Sequence, residues 1–313
     1  MESIRAVVVD PNAQQRLAIS KVQAPSPAPS EALVRVAAIS LNLGELRRSM
    51  AAEAGARIGW DFAGTVERAA TDGSGPRAGA RVVGMLPLGA WAEMIAAPTV
   101  AIAQMPDSVS FAQASTLPVA GLTALYSLEC NGSILGRKVL VTGASGGVGH
   151  IACQLAEHAG AYVVAVVRRA EREKHARDAG AHEVVVSEDS SPAAKFGPYH
   201  LVLESVGGAS LSAGLSMLAA EGMCVLYGAS GSSETTFDAR AFYLKGGATI
   251  YGFILFHELR RQPASEGLAR LLRLVAEGVL RPQIELEAPW TEISNVAHRF
   301  YNRGIAGKAV LLF

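Results

Sequence analysis

The stretch Lys138-Val139-Leu140-Val141-Thr142-Gly143-Ala144-Ser145-Gly146-Gly147-Val148-Gly149 decides the fold. A short apolar run stops at glycine and small residues, and a helical pattern begins at once. Val148, Ile151, Ala152, Leu155, Ala156 and Ala159 fall on one face at helical spacing. Strand, tight glycine turn and helix N-terminus together hold a pyrophosphate, because backbone amides point at the anion and the helix dipole favours negative charge. Gly146 lets the backbone approach the phosphates, and Gly149 lets the helix pack closely on the strand. Ala144 replaces the first glycine of the usual G-x-G-x-x-G pattern.

A second apolar run, 162–167, follows the helix, as a βαβ unit requires. In an NAD site this second strand ends in an acidic residue that binds the ribose hydroxyls. Here it ends in Arg168-Arg169, with Arg172 one turn on. Cations at this place suit a 2′-phosphate and favour NADP over NAD. The alternative is a solvated helix start. The same turn also matches G-x-S-x-G, with Ser145 as nucleophile and His298 late in the chain as base, the elements of an α/β-hydrolase. A hydrolase needs neither Gly149 nor the arginine pair.

The chain is 313 residues long, enough for two domains, and carries 28 basic and 28 acidic side chains. This balance gives no electrostatic case for nucleic acid or an anionic membrane. No apolar run reaches the ~18 residues of a membrane span. The start, Met1 to Ala6, runs straight into a strand-like pattern without a signal peptide's apolar stretch. The three cysteines, Cys130, Cys153 and Cys224, lack metal spacing and read as reduced and structural. These features predict a cytoplasmic enzyme.

Residues before about 117 read as β-rich, with runs at 6–9, 32–36, 64–67, 80–83 and 92–95 broken by prolines and glycines. From 139 to 256 strand and helix alternate, with strands expected at 139–142, 162–167, 183–186, 201–204, 224–227 and 249–256. That is the pattern of a doubly wound parallel sheet. An amphipathic helix follows, carrying Leu268, Leu271, Leu272, Val275 and Leu280, and the end 307–313 is strand-like again. The last strand is expected to return to the β-rich domain. The expected organisation is therefore 1–117 with 257–313 as one discontinuous domain, and 118–256 as the cofactor domain.

Six landmarks carry a resemblance over nearly the whole chain: Ser40-Leu41-Asn42-Leu43-Gly44-Glu45, Gly59-Trp60-Asp61-Phe62-Ala63-Gly64-Thr65-Val66, Gly89-Ala90-Trp91-Ala92-Glu93, Leu117-Pro118-Val119-Ala120-Gly121-Leu122-Thr123-Ala124, Val206-Gly207-Gly208 and Gly307-Lys308-Ala309-Val310-Leu311. In order and spacing they resemble the zinc-free quinone oxidoreductase and enoyl reductase branch of the medium-chain dehydrogenase/reductase superfamily. The resemblance implies an α/β protein: a GroES-like β-rich catalytic domain and a Rossmann cofactor domain. Zinc-dependent relatives place a cysteine, a histidine and a third ligand where this chain has Asn42, Trp60 and Val119, so no metal is expected. None of the seven tyrosines has a lysine four residues later, which excludes the short-chain dehydrogenase relay.

The resemblance implies hydride transfer from NADP(H) to a quinone or to a carbon–carbon double bond conjugated to a carbonyl. It assigns Thr123 and the backbone of Phe253, Ile254 and Leu255 to the nicotinamide end. Ala144, Ser145, Gly146, Gly147, Val148 and Gly149 go to the pyrophosphate, and Arg168, Arg169 and Arg172 to the 2′-phosphate. Val206, Gly228 and Ala229 lie under the cofactor, and Leu43, Trp60 and Val119 line the substrate pocket. Asn42 is the catalytic candidate, as an oxyanion donor or as a loop asparagine bonding its own backbone. Leu43 replaces a tyrosine of many relatives, so no side chain is assigned as proton donor. His257 is a candidate for that role or a helix-start residue, and water is the other source. The apolar run 249–256, at a sheet edge, implies a homodimer. A cofactor-binding protein without turnover stands as the other reading.

Overall fold

A computed structural model describes residues 3–313; Met1 and Glu2 lie outside the described residues. The chain forms two compact units, Met1–Leu122 with Leu259–Phe313, and Thr123–Glu258.

Along the chain, the first unit opens with β1 (Ser3–Val9), β2 (Leu17–Gln23), β3 (Glu31–Ser40), β4 (Asp61–Arg68), β5 (Arg81–Met85), β6 (Met94–Pro98) and β7 (Ile102–Gln104). The second unit carries β8 (Lys138–Val141), β9 (Tyr162–Val167), β10 (Glu183–Val186), β11 (Tyr199–Glu204), β12 (Leu218–Leu226) and β13 (Thr249–Gly252). The chain then returns to the first unit with β14 (Ile284–Pro289) and β15 (Lys308–Leu312).

In the first unit β1 and β2 pair antiparallel, and a larger sheet runs β14-β15-β3-β4-β5-β7 with β6 also on β3. The C-terminal β15 pairs antiparallel with β3, Val310 opposite Ser40. Alternation drives the strands: in β3 Ala32, Val34 and Val36 are buried while Arg35 is exposed. The core beneath these strands holds Phe62, Trp91, Ile39 and Leu41, all fully buried.

The second unit is a six-stranded sheet in the order β10-β9-β8-β11-β12-β13, every pair parallel. Counted within the unit this is 3-2-1-4-5-6, the doubly wound order, with its reversal between β8 and β11. The strands are near-continuous apolar runs because helices cover both faces; Val163 to Val167 are all buried.

Four expectations are corrected. The run 249–256 is not one strand: β13 stops at Gly252, where its partner β12 ends at Leu226, and Leu255–Glu258 turns into helix. The run 224–227 is the end of a longer strand, β12. The amphipathic helix ends at Ala276, and Leu280 is buried in the turn beyond it, its N–H on the Leu274 carbonyl. Strands β2, β7 and β14 were not anticipated. Residues of β14 alternate between half-buried and exposed, and β7 has three residues, too few for a period to show.

Candidate active site

The predicted cofactor residues of the second unit gather along one edge of its sheet, at the carboxyl ends of the strands. Gly143, after β8, has φ +59, and a Cβ there would sit 2.6 Å from the Ser205 hydroxyl oxygen. Two bonds stitch that turn to the chain after β11: Ser205 N donates to Thr142 Oγ1 (3.0 Å), and Ser205 Oγ donates to the Thr142 carbonyl (3.2 Å). The helix Gly147–His158 starts directly behind. A Cβ on Gly149 would lie 2.5 Å from the Gly143 carbonyl oxygen and 2.7 Å from Ala144 Cα, so only glycine permits this packing. The N-cap Gly146 offers no side-chain cap, and the first N–H groups of a helix have no acceptor within it. Bare amides beside a glycine turn fit an anion.

Arg168 and Arg169 lie exposed after β9, and Arg172 is half-buried one turn on. Val206 follows β11, Gly228 and Ala229 follow β12, and Phe253 to Leu255 follow β13, so the strand-end candidates share the edge. Phe253 and Leu255 are buried and Ile254 is exposed. Thr123 sits elsewhere in the unit, buried on the helix Pro118–Glu129. His257 is exposed in the turn of helix after Phe253.

Sequence reading missed Glu204 at the end of β11. Its buried carboxylate accepts from Val206 N, Gly207 N (2.9 Å) and Ser210 Oγ (3.0 Å), so it ties the turn before the helix Gly208–Ser216 to that helix. Burial pushes its pKa up, and those donors pull it back.

In the first unit Asn42 and Val119 converge on one carboxylate, that of the fully buried Asp61, and Trp60 reaches the neighbouring Glu45. Asn42 Nδ2 donates to Asp61 Oδ2 (2.7 Å) and Val119 N donates to Oδ1 (3.0 Å). Ser40 Oγ (2.9 Å) and Lys308 Nζ (3.4 Å) also donate to Oδ2. Lys308, 2 % exposed, reaches Asn42 Oδ1 (2.6 Å) and the Leu41 carbonyl (2.9 Å) as well. Trp60 joins through its backbone: its N–H donates to Glu45 Oε1 (2.7 Å), while Asn42 N donates to Glu45 Oε2 (2.8 Å). Burial, with Asp61 next, raises the Glu45 pKa well above the usual carboxylate range; Lys308 and the two backbone donors oppose this. The indole packs on Gly44, where a Cβ would meet Trp60 Cη2 at 2.6 Å, and Trp60 Nε1 donates to the Pro87 carbonyl (3.1 Å).

Asn42 is therefore not a loop asparagine bonding only its own backbone. Its oxygen is taken by Lys308 and one amide hydrogen by Asp61; the other faces Glu45 at a long 3.4 Å. Glu45, Asp61 and Lys308 stand within the quoted landmarks, but no spacing along the chain signals that they meet. Among the described residues no group of three or more His, Cys, Asp or Glu side chains could hold a metal ion. Leu43 is half-buried at the first position of the helix Leu43–Ala51. The hydrolase elements are not assembled as such: Gly143 and not Ser145 has the positive φ, and His298 is placed on the helix Ile293–Tyr301 near Asn302 (3.2 Å). No helix among the described residues is long and apolar enough to cross a membrane.

Residues 28–107 match the family model of the alcohol dehydrogenase GroES-like domain, and 147–275 that of zinc-binding dehydrogenase. The chain is 30% identical over 98% of its length to a Mycobacterium tuberculosis mycocerosic acid synthase-like polyketide synthase, of which it spans 15%. It is 28% identical to human quinone oxidoreductase, covering 81% of this chain and 79% of that protein. It is equally identical to a 2-haloacrylate reductase of Burkholderia, covering 93% of each. Among solved structures it superposes on a mycobacterial quinone oxidoreductase with TM-score 0.88 at 28% identity, covering 99% of this chain and 100% of that one. A mycobacterial protein complexed with NADPH gives TM-score 0.87 at 27% identity, with the same coverage. With its GroES-like and Rossmann domains, the chain belongs to the medium-chain dehydrogenase/reductase superfamily, in the quinone oxidoreductase and enoyl reductase branch of oxidoreductases.

Proposed function

We propose that this protein is a zinc-independent, NADPH-dependent reductase of quinones or of carbon–carbon double bonds conjugated to a carbonyl. The observation that carries the cofactor choice is the strand-end edge of the second unit. It offers uncapped amides at the helix Gly147–His158 and, after β9, Arg168 and Arg169 where an NAD site needs a carboxylate. The NADPH complex of a structural relative supports the same reading. The names of the human and Burkholderia relatives support the two acceptor classes.

When bound, the nicotinamide supplies a hydride; the protein supplies orientation and electrostatics. An amide, an indole and a valine stand at the zinc-ligand positions, and none can polarise a carbonyl as a Lewis acid does. The acceptor must therefore be activated already. The second hydrogen of Asn42 Nδ2, with only the long Glu45 contact, is the donor available to a developing oxyanion. Lys308 and Asp61 hold that amide in place from both ends. The proton comes from water. The protein works as a homodimer through β13, the last strand of its sheet, on which Ile250 is exposed, as are Tyr243 and Leu244 before it and Ile254 after it.

Calorimetry with NADPH and NADH tests the cofactor. The Arg168→Ala/Arg169→Ala double variant should lose about ten- to hundredfold in NADPH affinity for each charge-assisted bond removed, and far less for NADH. Equal affinity of the unaltered protein for both nucleotides refutes the assignment. A panel of quinones, enones and saturated aldehydes, read as NADPH consumption, tests the chemistry. Reduction of the aldehydes alone would refute it, and no reduction with NADPH bound would favour a protein without turnover.

A further inference from the structure

The first unit holds a cavity of about 510 Å³ beside the C-terminal end of the helix Leu43–Ala51. Arg48 and Arg57 line it, with an apolar wall that includes Ile58, Leu86, Leu88 and Ile95. No acidic residue lines it, and neither do Leu43, Trp60 or Val119. Its volume is that of a small-molecule site.

Among the described residues neither guanidinium has a carboxylate partner. Arg57 gives Nη2 to the Gly89 carbonyl (2.9 Å), and its Nε is buried without an acceptor. Arg57 is half-buried, and that burial lowers its pKa below the usual arginine value. Arg48, exposed at the rim, takes part in none of the ion pairs among the described residues. A desolvated cation without a counter-charge is costly, and an anion seated beside it offsets that cost. The planar guanidinium matches a carboxylate with two parallel hydrogen bonds. Inorganic anions gain nothing from the apolar wall, whereas an alkyl chain does.

We infer that this cavity binds an aliphatic monocarboxylate, its head between Arg48 and Arg57 and its chain along Ile58, Leu86, Leu88 and Ile95. The site needs no part of the hydride-transfer reading, because binding can be measured on the protein alone.

Calorimetry on the full chain without cofactor, with octanoate as the probe, tests this. One saturable site is expected. Each methylene buried is worth about fourfold in affinity, so hexanoate, two methylenes shorter, should bind about fifteenfold more weakly than octanoate. Octanol and inorganic phosphate should each bind at least about tenfold more weakly, lacking head or tail. Arg57→Met should cost at least about tenfold. Should that variant fail to fold, Arg48→Met and the cavity-filling Ala56→Leu carry the same expectation, checked by circular dichroism. Octanoate that does not saturate, octanol or phosphate binding as tightly, or a folded variant binding like the unaltered protein overturns the proposal. The carboxylate's source is read from steady-state competition. Octanoate competing with the reducible acceptor identifies the carboxylate as part of the substrate; an unchanged acceptor KM marks a separate effector.

Discussion

Replacing Asp61 by asparagine tests the buried cluster at its centre. The native carboxylate accepts from Ser40 Oγ, Asn42 Nδ2 and Lys308 Nζ on one oxygen and from Val119 N on the other. In Asp61→Asn the new amide nitrogen must face one of these sides. Facing Oδ2's partners, it meets three donors; facing Val119, it orphans one backbone N–H. Either way Lys308, 2 % exposed, loses its negative partner. Breaking a buried ion pair from one side costs about 3–5 kcal/mol. Lys308→Met should cost a similar amount, because Asp61 and Glu45 then share the interior without a cation. The double variant removes both members of the pair, so its cost should fall short of the sum by about 1–3 kcal/mol. The assay is urea unfolding followed by tryptophan fluorescence. All three tryptophans, Trp60, Trp91 and Trp290, belong to the unit that holds the cluster, so the signal reports on that unit. Additive costs for the two substitutions would refute the coupling argument. A loss under about 1 kcal/mol for either single variant would show that the charge is not sequestered.

Gly149→Ala should push the helix Gly147–His158 off the β8 turn, because its Cβ must retreat by about 0.9 Å from the Gly143 carbonyl oxygen to reach ordinary contact. A loss of ~1–3 kcal/mol in stability and a clear loss of NADPH affinity are expected, and unchanged calorimetric binding contradicts the packing. The Glu45 pKa is raised in the folded chain, so the native state keeps a proton that the unfolded chain releases; its contribution to stability is present below the unfolded carboxylate pKa and declines as pH rises from there towards the folded value. Glu45→Gln cannot accept both the Asn42 and Trp60 N–H bonds and should be less stable by about 1–3 kcal/mol, yet its stability should lack that decline; parallel pH–stability curves for the two proteins would contradict this. Ile250→Pro removes a donor from β13 and should weaken the dimer, read by light scattering, whereas an unaltered protein monomeric at micromolar concentration removes the dimer itself.

Local order was legible wherever one physical period ruled. The glycine turn after β8, the apolar runs of the parallel strands and the uncapped helix start all follow from neighbouring residues, and each lies where the sequence puts it. The end of β13 was not legible, because Phe253 to Phe256 are as apolar and β-prone as the residues before them. What stops the strand is the end of its partner at Leu226. Strand β2 escaped notice for a related reason: Leu17 to Gln23 do not alternate cleanly between apolar and polar.

The sequence by itself determined the alternation of strand and helix, the glycine turn after β8 with the arginine pair after β9, and the landmarks of the superfamily, since these depend on spacing along the chain. Only the tertiary structure decided that Glu45, Asp61 and Lys308 share one buried cluster with Asn42, and that Arg48 and Arg57 face one cavity without a carboxylate between them. The physical reason is distance along the chain. Lys308 reaches Asn42 and Asp61 because β15 pairs with β3, which brings the C-terminal strand beside Ser40. Charge compensation in an interior acts between neighbours in space, and a linear pattern carries no record of which buried cation a carboxylate will meet.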